Sequence, residues 1–94
     1  MDIQVRADNY HISEYVEKQA KEAANKLAKR FSHITNCEFI LSTKEQSHSC
    51  ELIVLVPGET YFAQSSHELM PNAISLAIPK MEKQLERYKS RYKG

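Results

Sequence analysis

Glycine occurs only twice and proline three times in 94 residues, which argues against long flexible loops. No internal repeat, low-complexity tract or linker interrupts the chain, so a single domain over residues 1–94 is expected. No apolar run approaches the roughly 18 residues that a membrane-spanning helix needs. The opening segment, Met1 to Tyr10, sets Asp2, Arg6 and Asp8 among isolated apolar residues and lacks the build of a signal peptide. A cytoplasmic protein without membrane association is therefore expected. The two cysteines, Cys37 and Cys50, match no zinc-ligand spacing, and a reducing compartment disfavours a disulfide. Both read as small buried apolar residues. The histidines (His11, His33, His48, His67) show no metal-ligand spacing, and no glycine-rich phosphate loop is present. No metal, cofactor or small-molecule substrate is expected. A Cys37 nucleophile with a His48 base is the one catalytic pairing imaginable, but Cys37 alternates with Phe39 and Leu41, which places it on a buried face. The chain reads as a non-enzyme.

What is there is an ordinary globular composition, 41% apolar and 27% charged, with strong periodicity. Asp2 to Ala7 alternates polar and apolar as a half-buried strand does, and Asp8–His11 reads as a turn. Ser13 suits a helix N-cap, with Glu14 in the positive first turn. Val16, Ala20, Ala23, Leu27 and Phe31 then recur at helical spacing. Residues 37–43 and 49–56 alternate as two strands, joined by a polar loop, Lys44 to His48. Pro57-Gly58 is a turn signal, and Thr60 to Gln64 a fourth strand. Ile74, Ile78, Met81, Leu85, Tyr88 and Tyr92 mark the core stripe of a second helix, with Pro71 in its first turn. Pro79 should kink or break that helix. The predicted fold is α+β, in the order β-α-β-β-β-α. A four-stranded, mostly antiparallel sheet with both helices on one face would bury both stripes.

Net charge is only +1, yet Lys80 to Gly94 holds six basic and two acidic residues, so residues 1–79 sum to −3. On a helical wheel Lys80, Lys83, Arg87 and Arg91 fall within about 80° of one another, with Glu82 and Glu86 on the other flank of the core stripe. Such a row can follow a phosphate backbone, each contact releasing condensed counterions. It is equally the pattern of a solvated face that complements the helix dipole. In the first helix, Glu14–Lys18, Glu17–Lys21 and Glu22–Lys26 are spaced as i,i+4 pairs, and Lys26, Lys29 and Arg30 are the freest to act outward.

Taken together, Ser13-Glu14, Lys26-Leu27, Phe31, Ile34, His48, Met70, Ala73-Ile74 and above all Lys80-Met81-Glu82-Lys83-Gln84-Leu85 with Arg87 and Lys89 resemble the ribosome hibernation promoting factor family. The family is also called ribosome-associated inhibitor or sigma-54 modulation proteins. The resemblance runs from about Met1 to Lys93. It implies the same element order, similar to a double-stranded-RNA-binding domain. It also implies a monomer that binds the small ribosomal subunit in the channel for messenger RNA and tRNA anticodon stems, blocking translation and protecting idle ribosomes in stationary phase. By position, the RNA-facing role falls on Lys26, Lys80, Lys83, Arg87, Lys89 and Arg91. The chain departs from the family where Leu69, Pro71 and Ser75 replace an acidic–aromatic–acidic set, at Pro79, and where Glu17 and Ala23 replace basic residues. Ending at Gly94, it resembles the short form. A general duplex-RNA binder and a protein-interaction module that modulates a transcription factor are the alternatives.

Overall fold

The computed structural model describes residues 1–91. The order is β1 (Asp2–Asp8), α1 (Glu14–Arg30), β2 (Asn36–Lys44), β3 (Ser47–Val56), β4 (Glu59–His67) and α2 (Met70–Arg91). The strands form one mixed sheet in the order β1-β2-β3-β4. β1 runs parallel to β2, which the α1 crossover makes possible, and the two following pairs are antiparallel hairpins. The expected fold is the observed one.

Local chemistry explains the boundaries. Ser13 holds an extended backbone, and its hydroxyl accepts from the Val16 N–H at 3.1 Å, which starts α1. Asn9 takes a left-handed φ of 55°, a conformation Asn tolerates, and reverses the chain after β1. The β2–β3 loop is shorter than the sequence suggests. Lys44 pairs with Ser47 and Thr43 with His48, leaving Glu45 (φ 57°) and Gln46 as the turn. Gly58, with φ 85° after Pro57, supplies the positive dihedral that closes the β3–β4 hairpin.

One face of the sheet is buried. Cys37, Phe39 and Leu41 of β2, Cys50, Leu52, Val54 and Val56 of β3, and Ala63 of β4 meet Val16, Ala20, Ala24 and Leu27 of α1 and Ile74, Ala77, Met81, Leu85 and Tyr88 of α2. Ala24, rather than Ala23, completes the α1 stripe; Ala23 is half-buried beside it. The Tyr88 hydroxyl donates to the Pro57 carbonyl at 3.2 Å, which satisfies a buried polar tip. Tyr92, expected to continue this stripe, lies outside the described residues. Burial pushes the Cys37 thiol up to about 11 and, with Glu51 adding to it, the Cys50 thiol up to about 12. Cys37 and His48 stand towards opposite ends of the β2–β3 ladder, opposite Val54 and Thr43 respectively, so they form no nucleophile–base pair.

α2 continues through Pro79 without a break. Pro79 and Ser75 are both exposed, so the ring faces solvent and the Ser75 carbonyl left without its helical donor is open to water. Proline still costs an interior helical bond. Pro79→Ala should therefore stabilise the fold by roughly 1–3 kcal/mol, read as a higher urea midpoint at unchanged m-value. An unchanged or lower midpoint would mean that the helix is already adapted to the ring.

Candidate nucleic-acid interface

The one-sided burial sets the helices side by side over the sheet and sorts their charges. α1 carries five cations and three carboxylates, and α2 five and two, so the helical layer carries +5. The four strands hold two cations and five carboxylates, giving −3. A chain of formal charge +1 is thus divided into a basic layer and an acidic one.

The cations of α2 do three different things. Lys80 and Arg91, expected in an outward row, reach sideways to β4. Lys80 Nζ donates to the Gln64 carbonyl at 2.7 Å, and Gln84 Nε2 to the Phe62 carbonyl at 2.6 Å. β4 is an edge strand, and these side chains cover alternate carbonyls that have no strand partner. Arg91 Nη2 grips the Glu59 carboxylate at 2.8 and 2.9 Å and donates to the Tyr61 hydroxyl at 3.1 Å. The Tyr61 hydroxyl and Arg91 both donate to Glu59 and hold its carboxyl below the ordinary glutamate range. Desolvation and the Glu59 carboxylate raise the Tyr61 phenol.

Lys83 and Arg87 are exposed, and among the described residues no carboxylate lies within salt-bridge distance of either. They remain the outward part of the expected row. Lys89 leans the other way, its ammonium 5.9 Å from the Phe31 ring centroid.

On α1 only Lys21 forms an i,i+4 pair, with Glu17 at 3.9 Å. Lys26 and Lys29 are exposed, with no salt bridge among the described residues; the Glu22–Lys26 spacing does not close into a pair. Lys18 joins them. Glu14 and Lys18 are spaced for an i,i+4 pair, but spacing permits such a pair without enforcing it. Lys18 and Lys26 flank a cleft of about 570 Å³ between the helices, whose floor includes Leu27, Ile74 and Ile78. Arg30, expected to face outward, instead bridges the helices. Its Nη1 lies 3.0 Å from Glu82 Oε2, and its Nη2 pairs with Glu86. Lys29 and Lys89 share a second cleft, of about 320 Å³, with Phe31 and His33.

Residues 3–93 match the family described as sigma 54 modulation protein / S30EA ribosomal protein. The chain belongs to that family. A ribosome hibernation promoting factor of Acinetobacter guillouiae is 26% identical over a 99-position alignment covering 95% of this chain and 88% of that protein. The fold of this family member superimposes on a ribosomal subunit interface protein from Coxiella burnetii with a TM-score of 0.89, at 24% identity over 96% of this chain and 99% of that one. It superimposes on the N-terminal domain of Thermus thermophilus Protein Y with a TM-score of 0.84, at 20% identity over 94% and 99% of the two chains. The two structural likenesses establish the family fold.

The Glu59 contacts predict a pH effect. Because its folded-state pKa is depressed, the Glu59 contribution is complete above the unfolded glutamate value of about 4.3 and is lost as the pH falls through the lowered one. Glu59→Gln should flatten the fall in stability below about pH 4.3. Urea midpoints measured across the acid range would show it; superimposable wild-type and variant curves would refute it.

Proposed function

We propose that this protein is a ribosome hibernation factor that docks its helical layer on ribosomal RNA of the small subunit, in the messenger RNA and tRNA channel, and silences translation in stationary phase or stress. The observation that carries the reading is the division of charge: +5 on the helical layer against −3 on the strands. A polyanion attracts the first and repels the second, so charge orients the molecule before any contact forms. Family membership supplies the ribosome as the source of that polyanion. The relative from Acinetobacter guillouiae bears a hibernation factor's name, and the structural neighbour from Coxiella burnetii that of a subunit interface protein.

Lys83 and Arg87 are the principal phosphate contacts, with Lys26, Lys29 and Lys89 beside them and Lys18 at the far end of the same layer. Lys80 and Arg91 contribute field more than contact, since Lys80 Nζ is drawn to the Gln64 carbonyl and the Arg91 charge is offset by Glu59 on β4. The mode of action is occupation: a folded domain seated in the channel excludes messenger RNA and tRNA without any catalytic step. One copy binds each subunit as a monomer.

Lys83→Glu combined with Arg87→Glu should abolish co-sedimentation with small subunits at about 100 mM salt while the melting curve is preserved. Lys83→Met alone should lower the slope of log affinity against log salt by about one. Full-strength binding by the double reversal would reject the helical face as the docking surface. Displacement by free duplex RNA would favour a general RNA binder over a channel-specific factor.

A further inference from the structure

A carboxylate beside a phosphate-binding cation weakens polyanion docking; Glu82 and Glu86 immediately precede Lys83 and Arg87 on α2, and on α1 Glu22 lines the inter-helix cleft with Lys18 and Lys26. Arg30 holds the two on α2, with its Nη1 3.0 Å from Glu82 and its Nη2 on Glu86. The guanidinium plane is further fixed over the Phe31 ring, 5.1 Å from the centroid, and that ring is itself buried. The Arg30 side chain is 51% exposed and those of Glu82 and Glu86 are 32% and 54% exposed, so the fork adds little to stability. Its position is more telling. Arg30 lines the cleft that Lys29 shares with Lys89, and one of the carboxylates it holds, Glu82, lines the cleft with Lys26. Arg30 thus links the two clefts through its contact with Glu82, and Glu82 and Glu86 are the acidic residues of α2.

We propose that Arg30 is a positioning residue for RNA docking: it masks Glu82 and Glu86 from the phosphate backbone and fixes the spacing of the cations on the two helices, without itself contacting RNA. The inference rests on the docking reading above and gives its basic face a specific internal requirement. Arg30 still has free N–H donors, but its one charge is outweighed by the two carboxylates it holds, so the cluster as a whole carries −1 and offers a phosphate no net attraction. Removing it would expose two like charges to the polyanion, an arrangement that costs affinity far more than it costs stability.

The test compares Arg30→Met with the charge-matched Arg30→Met/Glu86→Gln, using purified small subunits over a series of salt concentrations. The double variant keeps the net charge of the cluster, because one cation and one carboxylate leave together, and losing so exposed a pair costs little stability. Arg30→Met should weaken binding by on the order of tenfold at low salt, and the double variant should return to within about threefold of wild type with the wild-type salt slope. Melting curves of all three should nearly coincide. A double variant as weak as Arg30→Met, with a salt slope lower by about 0.9, would make Arg30 a direct phosphate contact and overturn the proposal. Wild-type binding by Arg30→Met would overturn it as well. Lys83→Glu/Arg87→Glu serves as the control: if it too binds normally, the docking face has been misassigned, and the Arg30 proposal falls with it.

Discussion

Two amphipathic helices bury their apolar stripes on one face of a four-stranded sheet, and almost everything else follows from that constraint. Because Val16, Ala20, Leu27, Ile74, Met81 and Leu85 must face the sheet, the charged positions of both helices must lie on its far side or along its flanks. The molecule gains a basic layer without a basic composition. The functional surface is thus a by-product of core packing combined with the choice of which polar residues occupy the outer helical positions.

The same constraint assigns the flanks. The side of α2 that overhangs β4 meets the free carbonyls of an edge strand, and Lys80 and Gln84 satisfy Gln64 and Phe62 there. The side that faces α1 meets another helix at close range, and Arg30 neutralises the carboxylates that would otherwise face it. The outermost line, with Lys83 and Arg87, faces the solvent without a salt bridge among the described residues.

Periodicity made the fold legible because each element repeats the same decision several times: apolar inward, polar outward. Cys37–Phe39–Leu41 and the α2 stripe each state their period more than once, and Ser13 and Gly58 mark boundaries by chemistry that few residues share. The site was legible only in part. A helical wheel gives the angle of Lys80 and Arg91 but not the neighbour at that angle, and β4 lies there. Arg30 and Glu82 are distant in sequence, so nothing local announces their pairing. Lys18 and Glu14 show the reverse, a local spacing that permits a bond that does not form. Elements follow from short-range repetition, whereas side-chain partnerships follow from tertiary proximity.

The central claim is one of orientation: helices towards ribosomal RNA, sheet away from it. The buried thiols of Cys37 and Cys50 leave a single cysteine introduced at the surface as the reactive one. An iron chelate tethered at Asn25→Cys, on exposed α1, or at Thr60→Cys, on exposed β4, would generate hydroxyl radicals at the two faces in turn. The account predicts strong, localised cleavage of small-subunit RNA from the α1 position and little from β4. Stronger cleavage from β4 would contradict it.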